Sequence, residues 1–275
     1  MRNIIWSIVG FWLATSAALY GEVKITVKGS DTMVILAQRW AERYMAKHKD
    51  VVIQVTGGGS GTGISALING TTDICNSSRP IKPEERDLLQ KRWGSRGVEI
   101  KCAMDGLAVY VNEKNPVKEL TMQQLKDIYQ GKITNWKEVG GPDKHIILYS
   151  RENNSGTYVY FKDHVLNGED FASSAQNMPG TAAVVNAVAR DAAGIGYGGA
   201  AYGKGICELA LKADAQSPAY KPTMENIRSG KYPISRFLYM YLRAKPTGAL
   251  KDYIDWILSS EGQAVVKEVD YFPIR

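Results

Sequence analysis

The chain has 275 residues, of which 44% are hydrophobic and 23% charged, with 27 glycines. This is ordinary globular composition, which excludes disorder, collagen-like fibres and coiled coils, and the length allows one large domain or two modest ones. The formal net charge of +6 is spread along the chain. A diffuse positive field suits a small anionic ligand, whereas nucleic acid would need a concentrated basic stripe, so no nucleic-acid partner is expected.

Residues 1–20 carry one charge, Arg2, then an apolar run from Ile4 to Leu13 and the small-residue stretch Ala14-Thr15-Ser16-Ala17-Ala18. That order predicts a cleaved secretory signal peptide, cut between Ala17 and Gly21, and an exported, periplasmic protein. The alternative is a membrane anchor, but the apolar run falls short of the roughly 20 residues a span needs.

Alternating apolar residues predict a strand at Val23–Val27, followed by Gly29-Ser30-Asp31-Thr32 and a helix with Met33, Leu36, Ala37, Trp40 and Tyr44 at helical spacing. A strand at 51–55 leads into the glycine-rich turn 57–63 and a short helix ending at Gly70. Thr72-Asp73-Ile74-Cys75 reads as a short strand running into Asn76-Ser77-Ser78-Arg79-Pro80, and 83–93 as a charged surface helix. Strands are predicted at 98–104 and 107–111, separated by Asp105-Gly106; Thr121 and Gln124 then form a capping box. A strand at 145–149 runs into Arg151-Glu152-Asn153-Asn154-Ser155-Gly156-Thr157 and a helix to Leu166. A helix near 182–189, strands near 194–197, 208–211 and 234–243, and helical segments over 249–269 complete the chain.

Alternation of strands and helices predicts an α/β fold with mostly parallel sheets. It is interrupted at Asp105-Gly106 and near Pro233, the candidate crossovers between a first lobe of 22–104 plus 235–275 and a second of 105–234. The three cysteines, Cys75, Cys102 and Cys207, sit in apolar, strand-like contexts and read as buried small hydrophobes, with one disulfide an open alternative. His48, His145 and His164 show no ligand spacing, so no metal site and no cofactor are expected.

One pattern occurs three times: strand, turn of Gly, Ser or Thr, then helix. The turns are 29–32, 59–63 and 154–157. A helix N-terminus offers unpaired N–H groups and partial positive charge, glycine admits close approach, and hydroxyls add donors, so each turn is a ready anion site. Any single turn is also explained by helix capping alone; three of them point to a shared anion. Arg151 could fork onto a tetrahedral oxyanion, or pair with Glu152. Arg79 follows Ser77-Ser78, and pairing with Glu84 or Glu85 explains it equally well.

Asp73 is the informative oddity. A carboxylate beside an anion at 4 Å costs about 4 kcal/mol at an effective dielectric near 20. The cost makes sense if the anion donates a proton to it, which phosphate can do near neutral pH and sulfate cannot. The alternative is a turn cap or a pair with a lysine. Competing motifs fail: Thr62 stands where a nucleophile elbow needs glycine, Ile64 where a P-loop needs lysine, and the two dinucleotide-like spellings at 61–66 and 194–199 lack their context.

These residues resemble the phosphate-binding proteins of bacterial phosphate ABC transporters. The resemblance runs through GSDT, GGGSGTG, TTDI and NSSRPI within 27–81, through 120–141, through SRENNSGTY at 150–158 and through GIGYGG at 194–199. It implies a two-lobed periplasmic binding protein of type II, each lobe a mostly parallel sheet flanked by helices, with two crossing strands as hinge. It implies a dehydrated phosphate in the cleft, held by Thr32 and Met33 through the backbone, and by Ser60, Asp73, Arg151, Ser155, Gly156 and Thr157, with Ser30 and Ser78 as additions. The expected function is a monomeric, non-enzymatic phosphate receptor that delivers its ligand to a membrane permease. The alternatives are a secreted phosphatase-like enzyme, for which no activated nucleophile is evident, a receptor for another oxyanion, and a phosphate-scavenging or adhesive surface protein.

Overall fold

A computed structural model describes residues 22–203 and 205–274, so the expected leader lies outside the described residues. The strands are β1 (Val23–Gly29), β2 (Val51–Thr56), β3 (Ile74–Ser77), β4 (Val98–Val111), β5 (Glu119–Thr121), β6 (Ile147–Arg151), β7 (Gln176–Met178), β8 (Gly194–Gly199), β9 (Cys207–Glu208), β10 (Ala210–Lys212) and β11 (Ser235–Leu242). The helices are α1 (Val34–Lys47), α2 (Ser60–Asn69), α3 (Pro83–Trp93), α4 (Met122–Tyr129), α5 (Gly156–His164), α6 (Thr181–Arg190), α7 (Met224–Arg228), α8 (Gly248–Leu258) and α9 (Ser260–Glu268). A 3-10 turn, Asp31–Met33, leads into α1. None of the described helices is long and apolar enough to cross a membrane.

The main sheet runs β2-β1-β3-β11-β4-β8-β6-β7, with β9 beside β4, while β5 and β10 pair separately. Its outer pairs, β1 with β2 and β3, and β6 with β7 and β8, are parallel; β4 and β11 pair antiparallel with each other and with their other neighbours. The sheet is therefore mixed, and more antiparallel at its centre than the sequence pattern predicts.

Three expectations change. Residues 98–111 form one continuous strand rather than two, because Asp105 and Gly106 keep their ladder partners Arg236 and Ser235. The strand predicted at 208–211 divides into β9 and β10, which join different sheets. β3 begins two residues later than predicted, since Thr72 spends its hydroxyl on the carbonyls of Thr26 and Ile74 and β1 pairs first with Ile74.

β4 pairs with β11 as far as Gly106 and with β8 from Leu107 onward. The core divides at the same place. Cys102 and Ala103 pack with Ile25, Ile53, Trp40 and Leu238, whereas Leu107, Val109 and Val111 pack with Trp136, Phe161, Ile195 and Tyr197. Each Val, Leu, Ile or Phe among them, fully buried, contributes about 1.5–3 kcal/mol. Trp40 satisfies its buried Nε1–H on the Gly262 carbonyl at 2.8 Å, which fixes α1 against α9. Phe161 stacks on Tyr197 with centroids 4.0 Å apart, which fixes α5 against β8. The turn ahead of α1 and the N-terminus of α5, anchored in different parts of the core, meet at the Thr32 and Thr157 hydroxyls.

Candidate anion-binding site

The carboxyl ends of β1, β2, β3 and β6 face one region, and the turns that follow them meet there. Gly59, at φ +90°, caps α2, and a β-carbon on it would stand 2.7 Å from the Asn154 carbonyl. Only glycine lets the second turn approach the third this closely. The Gly61 N–H donates to that same carbonyl at 2.9 Å, and Asn154 Nδ2 returns to Gly58 O at 3.2 Å and Thr62 Oγ1 at 3.3 Å. Ser155 caps α5, its Oγ accepting from the N–H groups of Thr157 and Tyr158 at 3.2 and 3.3 Å.

Four buried hydroxyls form a chain across the meeting point. Ser60 Oγ lies 3.4 Å from Ser78 Oγ and accepts from the Ser78 N–H at 3.0 Å. Ser78 Oγ lies 3.5 Å from Thr157 Oγ1, which lies 2.8 Å from Thr32 Oγ1. The buried Ser30 hydroxyl has no partner among the described residues. Three helix N-termini, with their fractional positive charge, thus converge on a patch of hydroxyl groups.

Arg151 is 1% exposed. Its Nη1 donates to Thr181 Oγ1 at 2.9 Å and its Nη2 to Asp31 Oδ2 at 2.7 Å, while its buried Nε has no partner among the described residues. Burial pulls the guanidinium below its ordinary pKa, and Asp31 works against that fall. Asp31 Oδ1 also accepts from the Gly58 N–H at 2.8 Å. One carboxylate from the first turn therefore ties down both the glycine-rich turn and the arginine ahead of the third.

A second ion pair lies behind the hydroxyls. Arg236 Nε and Nη2 donate to Asp105 Oδ2 at 3.2 and 2.9 Å, and Nη2 also donates to Thr157 Oγ1 at 3.0 Å. Burial pushes the Asp105 carboxyl up, and Arg236 pulls it back.

Of the residues expected from the sequence, Ser30, Thr32, Ser60, Ser78, Arg151, Ser155, Gly156 and Thr157 come together here. Met33 does not join them: its side chain is in the core and its N–H is spent on the Ser30 carbonyl at 3.0 Å. Asp73 also lies elsewhere, which corrects its expected role as proton acceptor. It precedes β3 whereas Ser78 follows it, a separation of about 16 Å along an extended chain. Its Oδ2 accepts from both the N–H and the Oγ1 of Thr26 at 2.8 Å, and Arg243 Nη2 is 3.6 Å from Oδ1. Arg79 forks onto Glu85 at 2.6 and 2.8 Å, outside the hydroxyl patch. All three cysteines are free thiols.

Sequence reasoning missed Asp31, Asn154, Thr181 and the pair Asp105–Arg236. The signal for that pair is a lone charge inside each of two apolar runs, AMDGLAV in β4 and ISRFLYM leading into β11. Asp31 stood in plain view within the first turn.

The model of the PBP superfamily domain matches residues 14–261, and this sets the class: a binding protein of that superfamily. Phosphate-binding protein PstS of Pseudomonas aeruginosa is 33% identical over 263 residues, covering 90% of this chain and 81% of the relative. PstS of Staphylococcus aureus is 36% identical over 259 residues, covering 90% and 76%. The chain belongs to the PstS family of phosphate-binding proteins. Among solved structures, a phosphate ABC transporter substrate-binding protein from Clostridium perfringens with bound phosphate superposes with a TM-score of 0.84 at 32% identity, over 92% of this chain and 100% of that one. An ABC-type phosphate transport receptor from Vibrio cholerae gives 0.71 at 28% identity, over 91% and 99%.

Proposed function

We propose that the protein is an exported receptor for inorganic phosphate, working outside the cytoplasmic membrane and handing its ligand to the permease of an ABC transporter. The observation that carries this reading is the convergence of Thr32, Ser60, Ser78 and Thr157, all buried, beside the buried guanidinium of Arg151. Phosphate would take the place of the direct hydroxyl-to-hydroxyl contacts, with Ser30, Arg151, Ser155 and Gly156 completing its surroundings. Hydrogen bonds to a charged partner contribute about 1.5–3 kcal/mol each, so several can outweigh the dehydration of a small anion. Nothing in such binding breaks a covalent bond.

In this reading residues 22–104 with 235–275 form one lobe and 105–234 the other. Support comes from β4 and β11, the strands on which both the pairing and the core change over. They would act as the hinge, and the contact between the second and third turns is the arrangement of a closed form.

A second reading, a receptor for another tetrahedral oxyanion, gains from one observation: Asp73 is spent on Thr26 and Arg243 and cannot reject sulfate. Isothermal titration of the purified protein with phosphate, and with sulfate in competition, decides between them. Tight phosphate binding that sulfate fails to displace is expected; sulfate binding more tightly than phosphate overturns the proposal.

A further inference from the structure

Direct ligands of the anion leave the pair Arg236–Asp105 without a task. The two residues face each other as register partners across β11 and β4, at 6% and 0% exposure. The guanidinium is confined on several sides. Nε and Nη2 are held by Asp105, and the Tyr160 ring lies against it with Cζ 5.2 Å from the ring centroid. Nη1 is buried without a partner among the described residues. Replacing a buried ion pair by apolar groups of similar size is often neutral or stabilising, so stability alone does not explain this one.

The explanation lies in the direction of one hydroxyl. An arginine can only donate, whereas a threonine hydroxyl has one proton to give and two lone pairs. Arg236 Nη2 donates to Thr157 Oγ1 at 3.0 Å, which occupies a lone pair. The Thr157 proton must then point away from Arg236, towards the hydroxyl patch where Thr32 and Ser78 lie 2.8 and 3.5 Å off. We propose that Arg236, oriented by Asp105, is a positioning residue for anion binding: it commits the Thr157 hydroxyl to donate towards the ligand. The inference rests on the phosphate reading above. Because Asp105 balances its charge, Arg236 acts through the orientation of Thr157 rather than through a long-range field.

The test is a double-mutant cycle on phosphate affinity, measured by calorimetry. Replacing the pair together, Arg236→Met with Asp105→Leu, leaves the net charge unchanged. This change is expected to weaken phosphate binding at least fivefold in the native background and less than twofold further in Thr157→Val, because only a committed hydroxyl can lose its commitment. An equal loss in both backgrounds would show a general structural effect and overturn the proposal; so would no loss in the native background. Should the paired variant fail to fold, as judged by circular dichroism, Arg236→Lys replaces it. Lysine keeps the charge but lacks the planar pair of donors, Nε and Nη2, by which Asp105 fixes the head beside Thr157, so at least threefold weakening is expected, again vanishing in Thr157→Val, with the same two outcomes overturning. A native protein indifferent to phosphate would overturn the functional reading itself, a result distinct from native binding that ignores Arg236.

Discussion

Gly156 presses its bare α-carbon against Ser60: a β-carbon there would stand 2.3 Å from Ser60 Oγ and 2.7 Å from Ser78 Oγ. The third turn reaches the second only because this residue has no side chain. Gly156 is also the first residue of α5, where glycine escapes the cost it carries in a helix interior. The added β-carbon would force Ser60 and Ser78 to shift, so Gly156→Ala is expected to lower thermal stability without ligand. Phosphate affinity should fall at least tenfold, about 1.4 kcal/mol. An unchanged dissociation constant in calorimetry would mean that the ligand does not sit beneath this contact.

Arg151 and Asp31 should behave as a unit. In Arg151→Ala the Asp31 carboxylate loses its closest cation and is left facing an incoming anion. A loss of at least tenfold in phosphate affinity is expected, about 1.4 kcal/mol. Adding Asp31→Asn should restore part of it by removing the repulsion. Titration of the single and double variants checks both statements, and equal affinity in Arg151→Ala and the native protein would remove the arginine from the site.

At Asp73 the expectation is the reverse. Asp73→Ala strips the Thr26 N–H and hydroxyl of their acceptor, a loss of about 1–2 kcal/mol for a half-buried site. Phosphate affinity should stay within twofold, about 0.4 kcal/mol. Urea unfolding and calorimetry on the same preparation separate the two effects; a large change in binding with unaltered stability would return Asp73 to the site.

Glu208 supplies a pH dependence. Burial pushes its carboxyl up to about 7, with Lys221 pulling down and Asp105 pushing up. Its folded value lies above the unfolded one, so its contribution to stability is complete in acid and is lost as pH rises through about 7. Glu208→Gln cannot ionise. Its melting temperature should exceed that of the native protein at pH 8 and match it at pH 5, and an equal difference at both values would refute the assignment.

Local chemistry made the three turns legible in the sequence. A glycine, a hydroxyl and the start of an apolar helical period lie within a few residues of one another, so 29–32, 59–63 and 154–157 could be found without knowing their neighbours. Asp73 was misplaced because the pattern Thr-Thr-Asp-Ile does not say where pairing begins. That is decided by β1, forty-odd positions earlier, which engages Ile74 while Thr72 and Asp73 turn their side chains to Thr26. Arg236 and Asp105 lie 131 positions apart, and only the antiparallel register of β4 and β11 makes them partners. Residues brought together by strand register leave no mark in local spacing, which is also why Asp31 could be quoted within its turn without its link to Arg151 being read.

Each guanidinium near the hydroxyl patch arrives with its own carboxylate, Arg151 with Asp31 and Arg236 with Asp105. The cradle is thus close to electroneutral before any ligand enters. Dissolved ions screen charges over about 8 Å at physiological strength, yet here little uncompensated charge exists for them to mask. Affinity should consequently be almost as high in brine as in fresh water, with capture governed by dipoles at contact range and hardly at all by attraction from afar.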